Sequence, residues 1–70
     1  MDMPIKDNVY EHFLRGERYV VNALAHDESG EVVVVHTSMA DGNVYTRSLS
    51  NFAGVLYRGE EIIPRFRLVG

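Results

Sequence analysis

The sequence of 70 residues contains no cysteine, no tryptophan and only two prolines. Without cysteine the chain forms no disulfide and offers no thiolate cluster for structural zinc, so two common supports of small folds are excluded. No apolar run approaches the roughly 18 residues that a membrane-spanning helix needs, and no charged-then-apolar leader opens the chain. We therefore expect a single cytoplasmic domain, residues 1–70, without a membrane partner and held together by its apolar core.

Basic charge is also scarce. The net charge is −3, and it is unevenly divided, with −4 in residues 1–35 and +1 in residues 36–70. An acidic chain lacks the basic field that generic phosphate-backbone binders present, which disfavours nucleic acid as a partner. The arginines of the second half keep weak nucleic-acid binding open as an alternative.

The motifs of common enzymes are missing as well. The chain has no Gly-x-Ser-x-Gly elbow and no glycine-rich phosphate loop. The neighbouring pairs Glu11–His12 and His26–Asp27 would point to opposite faces of a strand, so neither pair can share acid–base work. The third histidine, His36, does not stand at a short zinc-ligand spacing from the other two. We expect no enzymatic activity, no metal site and no cofactor.

The sequence is instead rich in turn signals and in short β-branched or aromatic runs. Glycine with aspartate or charged neighbours marks turns at 15–17, 27–30, 41–43 and 58–60. Between them lie runs typical of strands, at 19–25, 32–37, 44–49, 55–57 and 62–69. This pattern predicts an all-β fold, a small SH3-like barrel of five to six short antiparallel strands.

Four local features refine that prediction. The four consecutive valines at 32–35 show no alternation, which favours a strand covered on both faces. Pro64 cannot donate to a ladder and places its strand at an edge or a bulge. Ser48 can cap one helical turn that carries Leu49 and Phe52 on the same side. Residues 8–14 favour a strand, with an N-terminal helix and an α+β fold as the alternative.

The order of several motifs resembles a known family. They are Tyr10, His12, Phe13, Gly16, Tyr19 and Val21, then Ala25, His26, Glu28 to Glu31, Val34 and Val35, then Asp41, Gly42, Tyr45, Arg47, Leu49 and Phe52, and finally Pro64 to Phe66. Over residues 8–68 the chain is similar to the bacterial domain-of-unknown-function family 1653. It departs from the family pattern with His36 in place of tyrosine, Tyr45 in place of tryptophan and Ser48 in place of proline. The resemblance implies a small bacterial or phage-encoded domain with no established activity.

Two pairs of residues form the candidate ligand site. Tyr10 with His12, and Tyr45 with Arg47, each have i, i+2 spacing, so each pair shares one face of a strand. An aromatic ring beside a basic group can stack a flat ligand and neutralise an anion. The alternative is ordinary packing, in which Tyr10 and Tyr45 pack at the core margin with their hydroxyls outward. Arg47 would then pair with a carboxylate such as Glu11 or Glu28.

A second basic face is expected near the end of the chain. Arg65 and Arg67 flank Phe66, so alternation would turn Phe66 inward and both arginines outward, where Arg58 could join them. Glu60 and Glu61 stand close by in sequence, which favours a solvated surface over a site.

The sequence thus predicts a non-enzymatic binding or protein-interaction module, whose partner is a protein or a small-molecule ligand. Binding or sequestration of a small anionic, nucleotide-like ligand is the first alternative. An unpaired strand edge would also permit a homodimer.

Overall fold

The computed structural model describes residues 3–70 as seven strands and one short helix. In chain order the elements are β1 (Val9–His12), β2 (Arg18–His26), β3 (Val32–Ser38), β4 (Val44–Ser48), α1 (Leu49–Phe52), β5 (Val55–Arg58), β6 (Glu61–Pro64) and β7 (Phe66–Leu68). The predicted all-β class with one helical turn is confirmed, and the N-terminal run is a strand. Among the described residues no helix is long and apolar enough to cross a membrane.

The strands form one large sheet and one separate hairpin. Five antiparallel strands are ordered β4-β3-β2-β1-β7, while β5 pairs only with β6. Within residues 3–70 no ladder joins the two edge strands, so the sheet is open rather than a hydrogen-bonded barrel. The sheet is nevertheless strongly curled. Its two edge strands come close enough for Arg47 of β4 to contact Phe66 of β7, with the guanidinium carbon 5.2 Å from the ring centroid. Side chains therefore bridge the gap between the edges.

The β2–β3 turn shows how an aspartate closes a connection. One carboxylate oxygen of Asp27 accepts hydrogen bonds from the backbone N–H groups of Ser29 (2.9 Å) and Glu31 (3.0 Å). Gly30 takes a φ of 89°, in the left-handed region that glycine adopts without steric cost. These residues fix where β2 ends and β3 begins, and so fix the register of the pair.

The valine run of β3 is covered more fully on one face than on the other. Val34 is 0% exposed, whereas Val33 and Val35 are half-buried. The expectation that both faces are fully covered is therefore only half met, because this open sheet is wrapped around one side. The apolar core on that side consists of Tyr10, Val21, Val34, Phe52 and Phe66.

Helix α1 is a single turn that closes the core. The side-chain oxygen of Ser48 accepts a hydrogen bond from the backbone N–H of Asn51 at 3.2 Å, as the sequence predicts for an N-cap. The turn directs Phe52 onto Phe66, and the two rings stack with centroids 4.1 Å apart. One short element therefore supplies the largest of the fully buried side chains.

The last predicted strand, 62–69, is divided. Strand β6 ends at Pro64 and β7 begins at Phe66, with Arg65 between them. The backbone N–H of Arg65 donates to the carbonyl of Gly54 at 3.0 Å, and its carbonyl accepts from Phe13, also at 3.0 Å. Arg65 thus forms its backbone hydrogen bonds outside the β5–β6 ladder, and at this residue the chain passes from the hairpin to the main sheet.

Candidate functional site

The four residues of the predicted ligand site lie on the same face of the curled sheet. Tyr10 stands opposite Tyr19 in the β1–β2 ladder, and Tyr45 stands opposite His36 in the β3–β4 ladder. Directly opposed residues share a face, and i, i+2 spacing adds His12 and Arg47 to it. This is the face that α1 covers, so all four residues lie on the core side of the sheet.

Tyr10 and His12 are enclosed, with 8% and 7% of their surfaces exposed. The hydroxyl oxygen of Tyr10 accepts a hydrogen bond from the backbone N–H of Ile5 at 2.9 Å. The Nδ1 atom of His12 accepts from the backbone N–H of Leu14 at 3.2 Å, which leaves the proton of the neutral ring on Nε2. The structure thus places both residues in the core, with local partners for these polar atoms.

The electrostatic surroundings of His12 are positive. Burial is the largest influence that lowers the pKa of His12, and the charges of Arg47, Arg15 and Arg65 lower it further, in that order. Glu17 acts in the opposite direction and is the weakest of these influences. The charges that act on His12 are therefore mainly positive.

Tyr45 and Arg47 are more accessible than the β1 pair. Tyr45 is 43% exposed, and its hydroxyl donates to a carboxylate oxygen of Asp41 at 2.8 Å. Arg47 is half-buried and donates from Nη1 to the side-chain oxygen of Asn51 at 2.6 Å. The expected pairing of Arg47 with a carboxylate such as Glu11 or Glu28 is wrong, since Asn51 on α1 occupies that side of the guanidinium.

Aromatic rings connect these residues into one cluster. Tyr10 meets Phe52 edge to face at 5.6 Å, and His12 meets Phe66 in the same manner at 5.0 Å. Tyr19 packs against Phe66 at 5.8 Å. Aromatic pairs at such separations add about 0.5–1.5 kcal/mol each beyond the area that they bury. Much of the cluster's role is therefore stability.

Tyr19 is a member of this cluster that the i, i+2 pattern did not bring out. Its hydroxyl donates a short hydrogen bond to the carboxylate of Glu17. Burial, followed by that bond, raises the pKa of Tyr19 to about 12. The phenol is thus held in its protonated form as a hydrogen-bond donor. The sequence signal that could have identified Tyr19 was an aromatic residue two positions after an acidic residue, just after a glycine turn.

The arginines of the expected second basic face have different partners. Arg67 donates to Glu11 at 3.0 Å, on the face opposite the core. The guanidinium of Arg58 lies 5.7 Å from the ring centroid of Phe13. Arg65 donates from Nε to the backbone carbonyl of Asn51 at 3.1 Å. Arg65 therefore shares the hydrogen-bond partner Asn51 with Arg47, and it does not form a common basic face with Arg67.

An apolar groove lies beside β7, and the sequence did not reveal it. Its volume is about 680 Å³, and it is bounded by the N-terminal segment, α1, the hairpin and β7. The lining residues are Met3, Pro4, Ile5, Tyr10, Phe52, Ala53, Val55, Pro64, Phe66, Arg67 and Leu68. Of the sequence-predicted ligand residues only Tyr10 contributes, and from the secondary set only Arg67.

The three histidines do not converge. His12 and His36 lie on the core face, whereas His26 is exposed at the end of β2. Across residues 3–70 no group of three histidine, aspartate or glutamate side chains is placed to hold a metal ion.

These features define a small all-β domain, built as a curled sheet around an aromatic core with an apolar groove at one edge. A family model described as "Protein of unknown function (DUF1653)" matches residues 8–68, and the chain belongs to this family. Searches of curated proteins and of solved structures gave no significant match.

Proposed function

We propose that this domain is a non-enzymatic protein-interaction module that binds an extended, apolar peptide segment in the groove beside β7. The groove volume of about 680 Å³ falls within the range of ligand sites, which is about 300–1,000 Å³. Exposed apolar side chains form its walls, among them Ile5, Val55 and Leu68. An apolar surface of this kind favours an apolar partner.

The open edge of β7 supports an extended partner in particular. The backbone N–H of Phe13, just after β1, donates to the carbonyl of Arg65 at 3.0 Å, and the carbonyl of Val9 accepts from Val69 at 2.9 Å. The register between them pairs Glu11 with Arg67. Because bonding groups alternate along an antiparallel ladder, the backbone N–H and C=O groups of Phe66 and Leu68 point away from β1. No strand lies on that side in the described part of the chain. An added strand would satisfy these groups.

The hairpin supplies the opposite wall. Val55 and Pro64 are directly opposed in the β5–β6 ladder, and both line the groove. The next pair with the same orientation, Tyr57 and Ile62, is strongly exposed, with 76% and 64% of its surface accessible. The apolar surface therefore extends beyond the groove along one face of the hairpin. A peptide that pairs with β7 can place alternate side chains on this surface.

Selection from a displayed library of random short peptides, followed by nuclear magnetic resonance, tests the proposal. We expect enriched sequences to alternate apolar residues, and we expect their binding to shift the amide signals of Phe66 and Leu68. The backbone nitrogens of a selected peptide can be methylated in two alternating sets. Methylation of the set that faces β7 should abolish binding, and methylation of the other set should leave binding intact, because only one edge of an added strand faces β7.

Leu68→Asp, which puts a charge on the groove wall, should weaken a selected peptide by about tenfold or more. Val44→Asp is the matched control, since Val44 is exposed on the other edge strand. Equal affinity in the two variants, or amide shifts confined to residues far from β7, would contradict the groove as the binding site.

A further inference from the structure

Two half-buried arginines, Arg47 on β4 and Arg65 before β7, are held by one residue of α1. Arg47 donates from Nη1 to the side-chain oxygen of Asn51 at 2.6 Å, and Arg65 donates from Nε to its backbone carbonyl at 3.1 Å. A guanidinium has five N–H donors in a fixed plane, so each retains donors outside these bonds. Asn51 therefore orients two cations that come from opposite sides of the curled sheet.

Neither arginine has an acidic partner in the described part of the chain. The ion pairs of residues 3–70 within 4.0 Å are Arg15–Glu17, Arg18–Glu11 and Arg67–Glu11. The acceptors that hold Arg47 and Arg65 are neutral, and Arg47 also contacts the Phe66 ring, so no carboxylate among residues 3–70 pairs with either positive charge. Partly buried cations without a counter-ion are costly, and an anion between them would offset that cost.

Glu17, the acidic residue whose charge acts on His12, has other partners. The Glu17 carboxylate accepts the hydroxyl hydrogen of Tyr19 and lies 4.0 Å from Arg15. The charges of Arg15, Arg47 and Arg65 all lower the pKa of His12, more strongly than Glu17 raises it. The field at this end of the cluster is therefore positive, although the whole chain carries a net charge of −3.

We propose that Arg47 and Arg65, positioned by Asn51, bind a phosphate group. Two planar guanidinium groups suit an oxyanion that accepts several hydrogen bonds and carries close to two negative charges. Tyr45, two residues before Arg47 on the same face, is half-exposed and can contact a flat group attached to the phosphate. The site is independent of the proposed peptide groove, because neither arginine lines that groove.

Titration of the isotope-labelled protein with inorganic phosphate, followed through the arginine Nε–Hε signals, tests this site without any variant. The signals of Arg47 and Arg65 should shift and saturate, while that of Arg67, which is paired with Glu11, should stay in place. Chloride at equal ionic strength should not reproduce the shifts. A parallel titration with adenosine monophosphate distinguishes a free phosphate from a nucleotide, since tighter binding of the nucleotide would indicate contact with Tyr45.

Arg65→Gln should weaken phosphate binding about tenfold, because one charge-assisted pair is lost. Arg67→Gln removes the same charge at a paired, exposed position and should leave the affinity within about twofold, as expected of a screened surface charge. Thermal unfolding without phosphate establishes that both variants are folded. Unsaturated or absent shifts in the native protein, or equal losses in the two variants, would overturn the proposal.

Discussion

His36 is a titratable side chain enclosed by aromatic rings. Its Nδ1–H donates to the carbonyl oxygen of Val34 at 2.9 Å, and its ring lies 5.1 Å from that of Tyr19 and 5.3 Å from that of Phe52. Burial lowers the pKa of His36 below its usual value, and the positive charge of Arg47 lowers it further, while the bond to Val34 acts in the opposite direction. The native state therefore favours the neutral form of this imidazole.

The stability of the domain should fall as the pH decreases through the histidine range. Because the folded-state pKa of His36 is lowered, the unfolded chain binds its proton first, so stability is full above about pH 6.5 and declines below it. His12, whose pKa is also lowered, adds to the same trend. Each pKa unit of difference between the folded and unfolded states corresponds to about 1.4 kcal/mol.

Urea unfolding at a series of pH values measures this effect. His36→Gln should flatten the dependence, whereas His26→Gln, at an exposed position, should leave it as in the native protein. A native protein equally stable from about pH 8 to about pH 5.5 would show that neither buried histidine resists protonation.

For single residues, the sequence predicted which side chains share a face of a strand, but not which side chains contact one another. The period of two along a strand is enough to put Tyr45 beside Arg47, and Tyr10 beside His12. It does not reveal that Phe66, from a strand distant in sequence, contacts Arg47 in addition to the nearby Asn51. The contact with Phe66 depends on how far the sheet curls, which is a property of the whole ladder rather than of any pair.

Helix α1 depends on its N-cap residue, Ser48, more than on its length. A single turn cannot recover the cost of helix nucleation from its own hydrogen bonds, so the cap and the packing of Phe52 must hold it. Ser48→Ala removes the oxygen that accepts from the backbone N–H of Asn51, and should cost about 1 kcal/mol in the free energy of unfolding. Because Asn51 also holds Arg47, the variant should broaden the Arg47 side-chain signals.

Ser50→Ala is the matched comparison. The hydroxyl of Ser50 is exposed and contacts only that of Ser48, at 3.3 Å, so its loss should change stability by less than about 0.5 kcal/mol. Chemical denaturation of both variants gives the difference directly. If Ser50→Ala proved as damaging as Ser48→Ala, helix propensity rather than the cap would be responsible.

Elements bounded by a local signal were the ones that sequence reasoning located well. Glycine and aspartate turns predicted the ends of β2 and β3, and Ser48 predicted the start of α1. The division between β6 and β7 was missed, because it depends on Arg65 bonding to Gly54 and Phe13 across the fold. The groove was missed for the same reason, since it lies where four separate elements meet.

At the scale of the whole molecule, the segment before β1 is part of the fold although the family match begins at residue 8. Pro4 is buried and lines the groove, and the backbone N–H of Ile5 donates to the hydroxyl of Tyr10 at 2.9 Å. The backbone N–H of Asp7 donates to the carbonyl of Val21 at 2.8 Å, which ties the segment to β2. These contacts make it one wall of the groove.

Deletion of residues 1–5 should therefore leave a folded all-β domain that is less stable by about 1–2 kcal/mol, through the loss of Pro4 and of the two backbone hydrogen bonds of Ile5, to Tyr10 and to Asn8. Circular dichroism would report the fold and urea unfolding the stability. Tyr10→Phe in the full chain isolates the hydroxyl, and should cost less than the deletion because the wall remains.

The shortened chain should also bind selected peptides more weakly, since one side of the groove is gone. Unchanged stability and affinity after the deletion would show that the segment contributes neither to the core nor to the groove. Complete unfolding would also contradict the prediction, because it would show that the fold requires the segment.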